Sequence, residues 1–122
     1  MQILMANACG ISAHTGESGA VISVTGRIDA SSAGLLDTEL SRLIDGGERA
    51  IIVEMGGLEY ISSSGLRVLL AAKKNLKRSG GDLSIAALTP FVREVFEISG
   101  FLRIFSVYES VEEATERKRL TG

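Results

Sequence analysis

A short apolar run joined to a helical pattern by three serines constrains this chain most. The run Ile51–Val53 is β-branched, which favours a strand buried on both faces, as in a parallel sheet. The serines Ser62–Ser64 then precede Leu66, Leu69 and Leu70, which recur at helical spacing. The first turn of a helix has unpaired N–H groups and the positive end of the helix dipole. These hydroxyls therefore either cap the helix or form a site for phosphate.

Strand and helix patterns alternate through the rest of the sequence. A hairpin followed by alternating strands and helices predicts an α/β fold, a mixed sheet with an N-terminal antiparallel hairpin, later parallel strands and about four α-helices. We expect a single domain over residues 1–122. The predicted elements are strands at 11–15 and 20–25 around a turn at 16–19, a helix at 31–45, a strand at 50–54 with a turn at 56–57, a helix from the serines to Gly80, a strand at 83–88, a helix from Pro90 to Gly100, a strand at 102–107 and a helix from Ser110 to about Arg119.

Charge and composition narrow the possible partners. The chain has 13 Lys and Arg against 15 Asp and Glu, a net charge of −2, which does not favour direct binding of nucleic acid. One cysteine, Cys9, and one histidine, His14, exclude an internal disulfide and a Cys/His metal cluster. No apolar run reaches the roughly 18 residues of a membrane span. We therefore expect a cytoplasmic protein without a metal or a membrane span.

Motifs of catalysis find little support in the sequence. A Ser/His/Asp hydrolase would have to use His14 as its base, and the chain has no Gly-x-Ser-x-Gly turn. The glycine-rich signatures Gly-x-x-x-x-Gly-Lys-Ser/Thr and Gly-x-Gly-x-x-Gly, which bind nucleotide phosphates, are not found in it. The sequence predicts a protein that is not an enzyme and has no cofactor.

A second group of polar residues follows the predicted strand at 20–25. Gly26 is expected to let the chain leave that strand, and Asp29 or a serine after it to cap the first helix. In a sheet of this topology, Asp29 and the serines lie at the same edge. We interpret Gly65, which has no side chain, as a place where another molecule approaches the backbone closely.

Four segments in this order resemble one family. They are Thr25–Asp29, Tyr60–Leu70, Gly80–Leu83 and Phe96–Phe101. Together they are similar to the bacterial anti-sigma-factor antagonists of the STAS domain family, from about Ile11 to Ala114. The resemblance implies that family's mixed sheet with packed helices. It also implies partner switching, in which the unphosphorylated antagonist binds a serine-kinase anti-sigma factor and phosphorylation by that kinase breaks the complex.

The family's acceptor motif is commonly Asp-Ser, a small residue and Gly. On this chain the acceptor falls on Ser63 and the glycine on Gly65, while Ser62 occupies the acidic position, so Ser62 and Ser64 remain the less favoured acceptors. Asp29 matches the family's aspartate at the binding surface. The resemblance implies a partner-binding surface of Asp29, Ser62, Ser63, Ser64, Gly65 and Arg67, and a PP2C-type phosphatase as a further partner.

One alternative stays open at this point. In this alternative, the chain is a STAS adaptor or ligand-sensing subunit of another assembly, for example one in lipid trafficking, and the serines are only structural caps.

Overall fold

The computed structural model describes residues 2–6 and 9–121 of the chain, with side chains at position 3 and at 9–117. Six strands form one mixed sheet in the order β1 to β6. β1, β2 and β3 pair antiparallel, and β3 to β6 pair parallel. The elements are β1 Gln2–Ala6, β2 Cys9–Gly16, β3 Gly19–Ile28, α1 Ala33–Asp45, β4 Ala50–Ile61, α2 Ser63–Arg78, β5 Asp82–Ala86, α3 Pro90–Ile98, a 3-10 turn Phe101–Arg103, β6 Val107–Tyr108 and α4 Val111–Thr121.

This architecture confirms the predicted α/β fold. The antiparallel hairpin is β2 with β3, closed where Gly16 pairs with Gly19. α1, α2 and α3 are the crossovers between parallel strands that lie next to one another, and such crossovers are right-handed, which places all three helices on one face of the sheet. β1, which the sequence analysis did not predict, adds a strand at the edge of the sheet.

Two groups of buried residues hold the layers together. The larger group joins the sheet to α1, α2 and α3 and includes the fully buried Ile22, Leu40, Val53, Leu69 and Phe96. The smaller group is Ile52, Ala86 and Ala114, with Ala114 on α4. Because Ile52 and Val53 are neighbours on β4, their side chains point to opposite faces, so α4 covers the other side of the sheet.

The predicted turn at Gly56–Gly57 is wrong, because β4 continues through it to Ile61. The pairing of β3 with β4 shifts register between Ser23 and Thr25 and again between Gly26 and Arg27. Gly57 lies against Thr25, whose Cγ2 would be 2.8 Å from a Cβ at position 57. Glycines here admit close backbone approach in an irregular strand pair, where the sequence pattern suggested a turn. Likewise Gly26, with φ of +81°, lies inside β3 and does not end it.

The predicted strand at 102–107 is also wrong. Gly100, with φ of +81°, ends α3, and a 3-10 turn then leads to the two-residue strand β6. The cause is aromatic packing: Phe101 and Phe105 pack on the buried Phe96, with ring centroids 5.9 and 6.1 Å from it. Both rings reach the core only if the chain turns between them. The capping serine of the last helix is confirmed, since the Ser110 hydroxyl accepts a hydrogen bond from the Glu113 N–H at 3.1 Å.

Candidate functional site

The ends of β3 and β4 bring Asp29 and the serines to one edge of the sheet, as the parallel topology predicts. Ile28 pairs with Ile61, the last residue of β4. The Ser62 N–H then donates a hydrogen bond to the Ile28 carbonyl at 2.8 Å. This bond holds Ser62, the first residue after β4, beside Ile28, the last residue of β3. We call Ser62, Ser63 and Ser64 the serine turn.

The three serines have different surroundings. Ser62 is the N-cap of α2, and its Oγ accepts a hydrogen bond from the Gly65 N–H at 3.3 Å. Ser64 is half-buried, and its Oγ lies 3.5 Å from the Arg67 guanidinium one turn later. Ser63 is the first residue of α2 and is exposed, and its hydroxyl has no hydrogen-bond partner among the described residues. Of the three hydroxyls, that of Ser63 is thus the most exposed and the one without a hydrogen bond to a described residue.

Asp29 organises the turn that leads from β3 into α1. Its Oδ1 accepts hydrogen bonds from the N–H groups of Ser31 and Ser32, at 3.0 and 3.1 Å, and from the Ser31 hydroxyl at 2.7 Å. These bonds, the Ser31 hydroxyl first, lower the pKa of Asp29 and outweigh a smaller opposing effect of desolvation. Asp29 therefore presents a negative charge at this edge. Ser32 holds the N-cap position of α1, but its side chain accepts no bond from the helix and instead receives the Asp29 N–H at 2.9 Å.

Arg27 and Tyr60 add a contact that the sequence analysis missed. They pair across β3 and β4, and the Arg27 guanidinium carbon lies 4.5 Å from the centre of the Tyr60 ring. This is cation–π distance, and it fixes an exposed positive charge near Asp29 and the serine turn. Both residues lie in motifs that the sequence analysis singled out, but their pairing depends on the irregular register between β3 and β4.

The structure gives Gly65 a different role from the one that its sequence suggested. Gly65 is buried, and a Cβ built on it would lie 2.7 Å from Cγ2 of Ile28 and 2.8 Å from Cγ1 of Ile61. The missing side chain allows α2 to start directly against the ends of β3 and β4. The interpretation of Gly65 as an opening for another molecule is therefore corrected. Its lack of a side chain lets the serine turn pack closely on the buried Ile28 and Ile61.

The histidine lies away from this edge. His14 pairs with Val21 on β3, seven residues before Ile28, which is roughly 23 Å along a strand. A Ser63–His14 catalytic pair is therefore not formed. Among residues 2–6 and 9–121, no group of three His, Cys, Asp or Glu side chains is placed to hold a metal ion. Nor does any helix in those ranges combine the length and apolar character needed to cross a membrane.

Comparison with known proteins identifies the family that shares this fold. Residues 11–114 match the STAS domain family. BtrV of Bordetella bronchiseptica, a protein assigned as an anti-sigma factor antagonist, is 48% identical over 89 residues, which cover 73% of this chain and 77% of BtrV.

Two solved proteins share the architecture. An anti-sigma factor antagonist from Mycobacterium paratuberculosis superposes with a TM-score of 0.83 at 22% identity, over 91% of this chain and 94% of that one. The anti-sigma factor antagonist SpoIIAA in its unphosphorylated form gives 0.78 at 26% identity, over 89% and 96%. The phosphorylated form of SpoIIAA from Bacillus gives 0.70 at 24% identity, over 88% and 97%. With the family match over most of its length, this chain belongs to the STAS domain family, in the group of the bacterial anti-sigma-factor antagonists.

Proposed function

We propose that this chain is the antagonist of a partner-switching pathway. Its unphosphorylated form binds an anti-sigma factor that is also a serine kinase, and phosphate on Ser63 releases that partner. The observation that carries the proposal is the exposed Ser63 at the first position of α2, beside the charge of Asp29. The identity to BtrV and the naming of SpoIIAA by its phosphorylation state support it.

In this proposed pathway, the chain is the substrate of the kinase. A kinase moves the γ-phosphoryl group of ATP to the Ser63 oxygen, the hydroxyl proton leaves to the kinase's base, and ADP departs. A PP2C-type phosphatase then hydrolyses the phosphoserine and restores the binding form. We place this cycle in the cytoplasm and without a cofactor or catalytic residue on this chain.

Phosphorylation is expected to act at the interface and to leave the fold intact. A helix N-terminus favours an anion by about 0.3–1 kcal/mol at exposed sites, so a phosphate on Ser63 is tolerated by α2 or mildly stabilising. A partner packed over the serine turn meets new charge and bulk, which costs several kcal/mol at a close contact. Ser63→Glu should therefore lose the partner and melt near the wild-type temperature.

Thermal melts and binding titrations of wild-type, phosphorylated and Ser63→Glu protein measure both effects. Because one carboxylate carries less charge than phosphate, the phosphorylated protein is the reference. A sharply lower melting temperature after phosphorylation, or an unchanged affinity, would show that the switch does not work at the interface.

Asp29 is expected to contribute its charge to partner binding. Because Oδ1 also holds the turn before α1, Asp29→Arg removes both the charge and the turn's hydrogen bonds. Asp29→Asn keeps an acceptor oxygen at Oδ1 and removes only the charge. We expect Asp29→Asn to weaken binding at least about tenfold, which is ~1.4 kcal/mol, and Asp29→Arg to weaken it further.

Titration calorimetry against the purified kinase measures these affinities, and circular dichroism melts report the fold. A melt of Asp29→Asn close to wild type shows that the loss comes from the charge. If both variants bind as the wild type does, Asp29 has no part in the site.

A further inference from the structure

An exposed apolar stripe runs along α3. Phe91 and Ile98 are 54% and 80% exposed, although both are large hydrophobic side chains. They lie seven residues, or two helical turns, apart on the same face, with the half-buried Val95 between them. We call Phe91, Val95 and Ile98 the α3 stripe.

The two exposed residues of the α3 stripe, Phe91 and Ile98, are not needed for the core of the domain, whereas Val95 between them packs against it. Val92 and Phe96 are fully buried and already anchor α3 to the sheet. Phe91 and Ile98 instead expose apolar surface to water, on the face of α3 next to the one that Val92 and Phe96 bury. A contiguous apolar face of this kind, bordered by polar residues, typically marks a contact with another protein.

α3 begins at the same edge of the sheet as the serine turn. Thr89 caps α3, accepting from the Val92 N–H at 3.4 Å, and its hydroxyl donates to the Leu58 carbonyl at 3.2 Å. Leu58 lies on β4, four residues before Ser62, which is about 13 Å along the strand. A standard interface buries about 800 Å² per partner, a patch roughly 30 Å across. An interface of that width is large enough to include both the serine turn and Phe91.

The charges beside the α3 stripe indicate what faces it. Glu94 and Glu97 are exposed on α3, and at 100° per residue Glu94 lies next to both Phe91 and Ile98. An apolar surface rimmed by Lys or Arg complements this arrangement. A second copy of this chain does not, because an antiparallel pairing of two stripes would bring the two Glu94 carboxylates together at its centre.

We propose that the α3 stripe is a second contact for the anti-sigma factor that binds the serine turn, through an apolar surface with a basic rim on that partner. This rests on the proposed function. The serine turn is then the contact that phosphate breaks. The α3 stripe is the contact that supplies apolar affinity and does not change on phosphorylation.

A photo-crosslinking experiment in the source cell tests whether one partner covers both contacts. Phe91→p-benzoylphenylalanine keeps an aromatic side chain in the stripe, and Arg67→p-benzoylphenylalanine places the same probe on the exposed face of α2 beside the serine turn. Ile3→p-benzoylphenylalanine is the control, since Ile3 is 64% exposed on β1, which is the outermost strand of the sheet on the side away from β5 and β6. We expect positions 67 and 91 to capture the same protein and position 3 to leave it free.

The captured protein, purified, is then titrated with variants of this chain. Ile98→Ser should weaken its affinity about tenfold or more, and Ile3→Ser should leave it unchanged. An adduct of position 91 with another copy of this chain or with a different protein, no adduct from that position, or wild-type affinity for Ile98→Ser would overturn the second contact. Failure of the protein captured at position 67 to phosphorylate Ser63 with ATP would instead count against the proposed function and leave the shared surface standing.

Discussion

Incubation of this chain with its kinase partner and ATP should place phosphate on Ser63, and Ser63→Ala should abolish the labelling. Phosphopeptide mapping by mass spectrometry measures the position and the stoichiometry. The change is all or none at the acceptor, so it is the largest effect expected at the site.

The three hydroxyls are not equally available to a kinase. The Ser62 Oγ is engaged as the cap of α2, so transfer of a phosphoryl group to that oxygen would give up a cap worth about 1 kcal/mol. Ser64 is half-buried next to Arg67. Ser63 is exposed and has no such contact among the described residues, so a kinase reaches its oxygen without first opening the turn.

The neighbouring serines supply matched controls. Ser64→Ala should be labelled as fully as wild type. Ser62→Ala should also be labelled, but with a free energy of unfolding lower by about 1 kcal/mol because the cap is lost. Stoichiometric labelling of Ser63→Ala, with the phosphopeptide mapped to Ser62 or Ser64, would move the acceptor and contradict the assignment.

The sequence predicts the parts of this fold that depend on regular periodicity. The alternation of strand and helix patterns predicts the parallel crossovers, and these alone place Asp29 and the serine turn at one edge. The exact pairing of Ile28 with Ile61 depends in addition on the two register shifts between β3 and β4, which the topology does not predict. The alternation of strands and helices was therefore enough to bring Asp29 and the serine turn to one edge, but not to give the register of the residues there.

Irregular pairing and tertiary contacts lie beyond such patterns. The Gly56–Gly57 pair is typical of a turn, yet β4 runs through it, and at Gly57 the Thr25 side chain of the neighbouring strand takes the space that a side chain would need. The contact of Arg27 with Tyr60 depends on that shifted register. In the same way, the alternation of apolar residues after Gly100 predicted a strand, but the packing of three phenylalanine rings decides the path of the chain.

Gly65 shows how a motif residue is required for a reason that the motif does not state. In the sequence it stands beside three hydroxyls, where a small residue favours an approaching partner. In the structure, the space that a Cβ of Gly65 would need is filled by the branched side chains of Ile28 and Ile61, which are 0% and 3% exposed. The glycine thus couples the position of the serine turn to the core.

Gly65→Ala is expected to destabilise the domain. The new methyl group would lie 2.7 and 2.8 Å from carbons bound directly to the Cβ atoms of two buried isoleucines, which have little room to move. Overpacking of this kind costs about 1–3 kcal/mol, and better helix propensity returns at most about 1 kcal/mol. A net loss of about 1 kcal/mol should lower the melting temperature by about 4 °C in a domain of this size, and partner affinity should fall with it because α2 must shift away from β3 and β4.

Gly34→Ala is the matched control, with the opposite sign expected. Gly34 is the second residue of α1 as Gly65 is the third of α2, but a Cβ at position 34 meets nothing within 4 Å. The alanine should raise the free energy of unfolding by about 0.5 kcal/mol, since it restricts the unfolded chain and suits a helix. Thermal melts of the two variants therefore separate packing from propensity. If Gly65→Ala stabilised the protein as Gly34→Ala does, the contact with Ile28 and Ile61 would not be what requires glycine, and an opening for the partner would again be the better explanation of that residue.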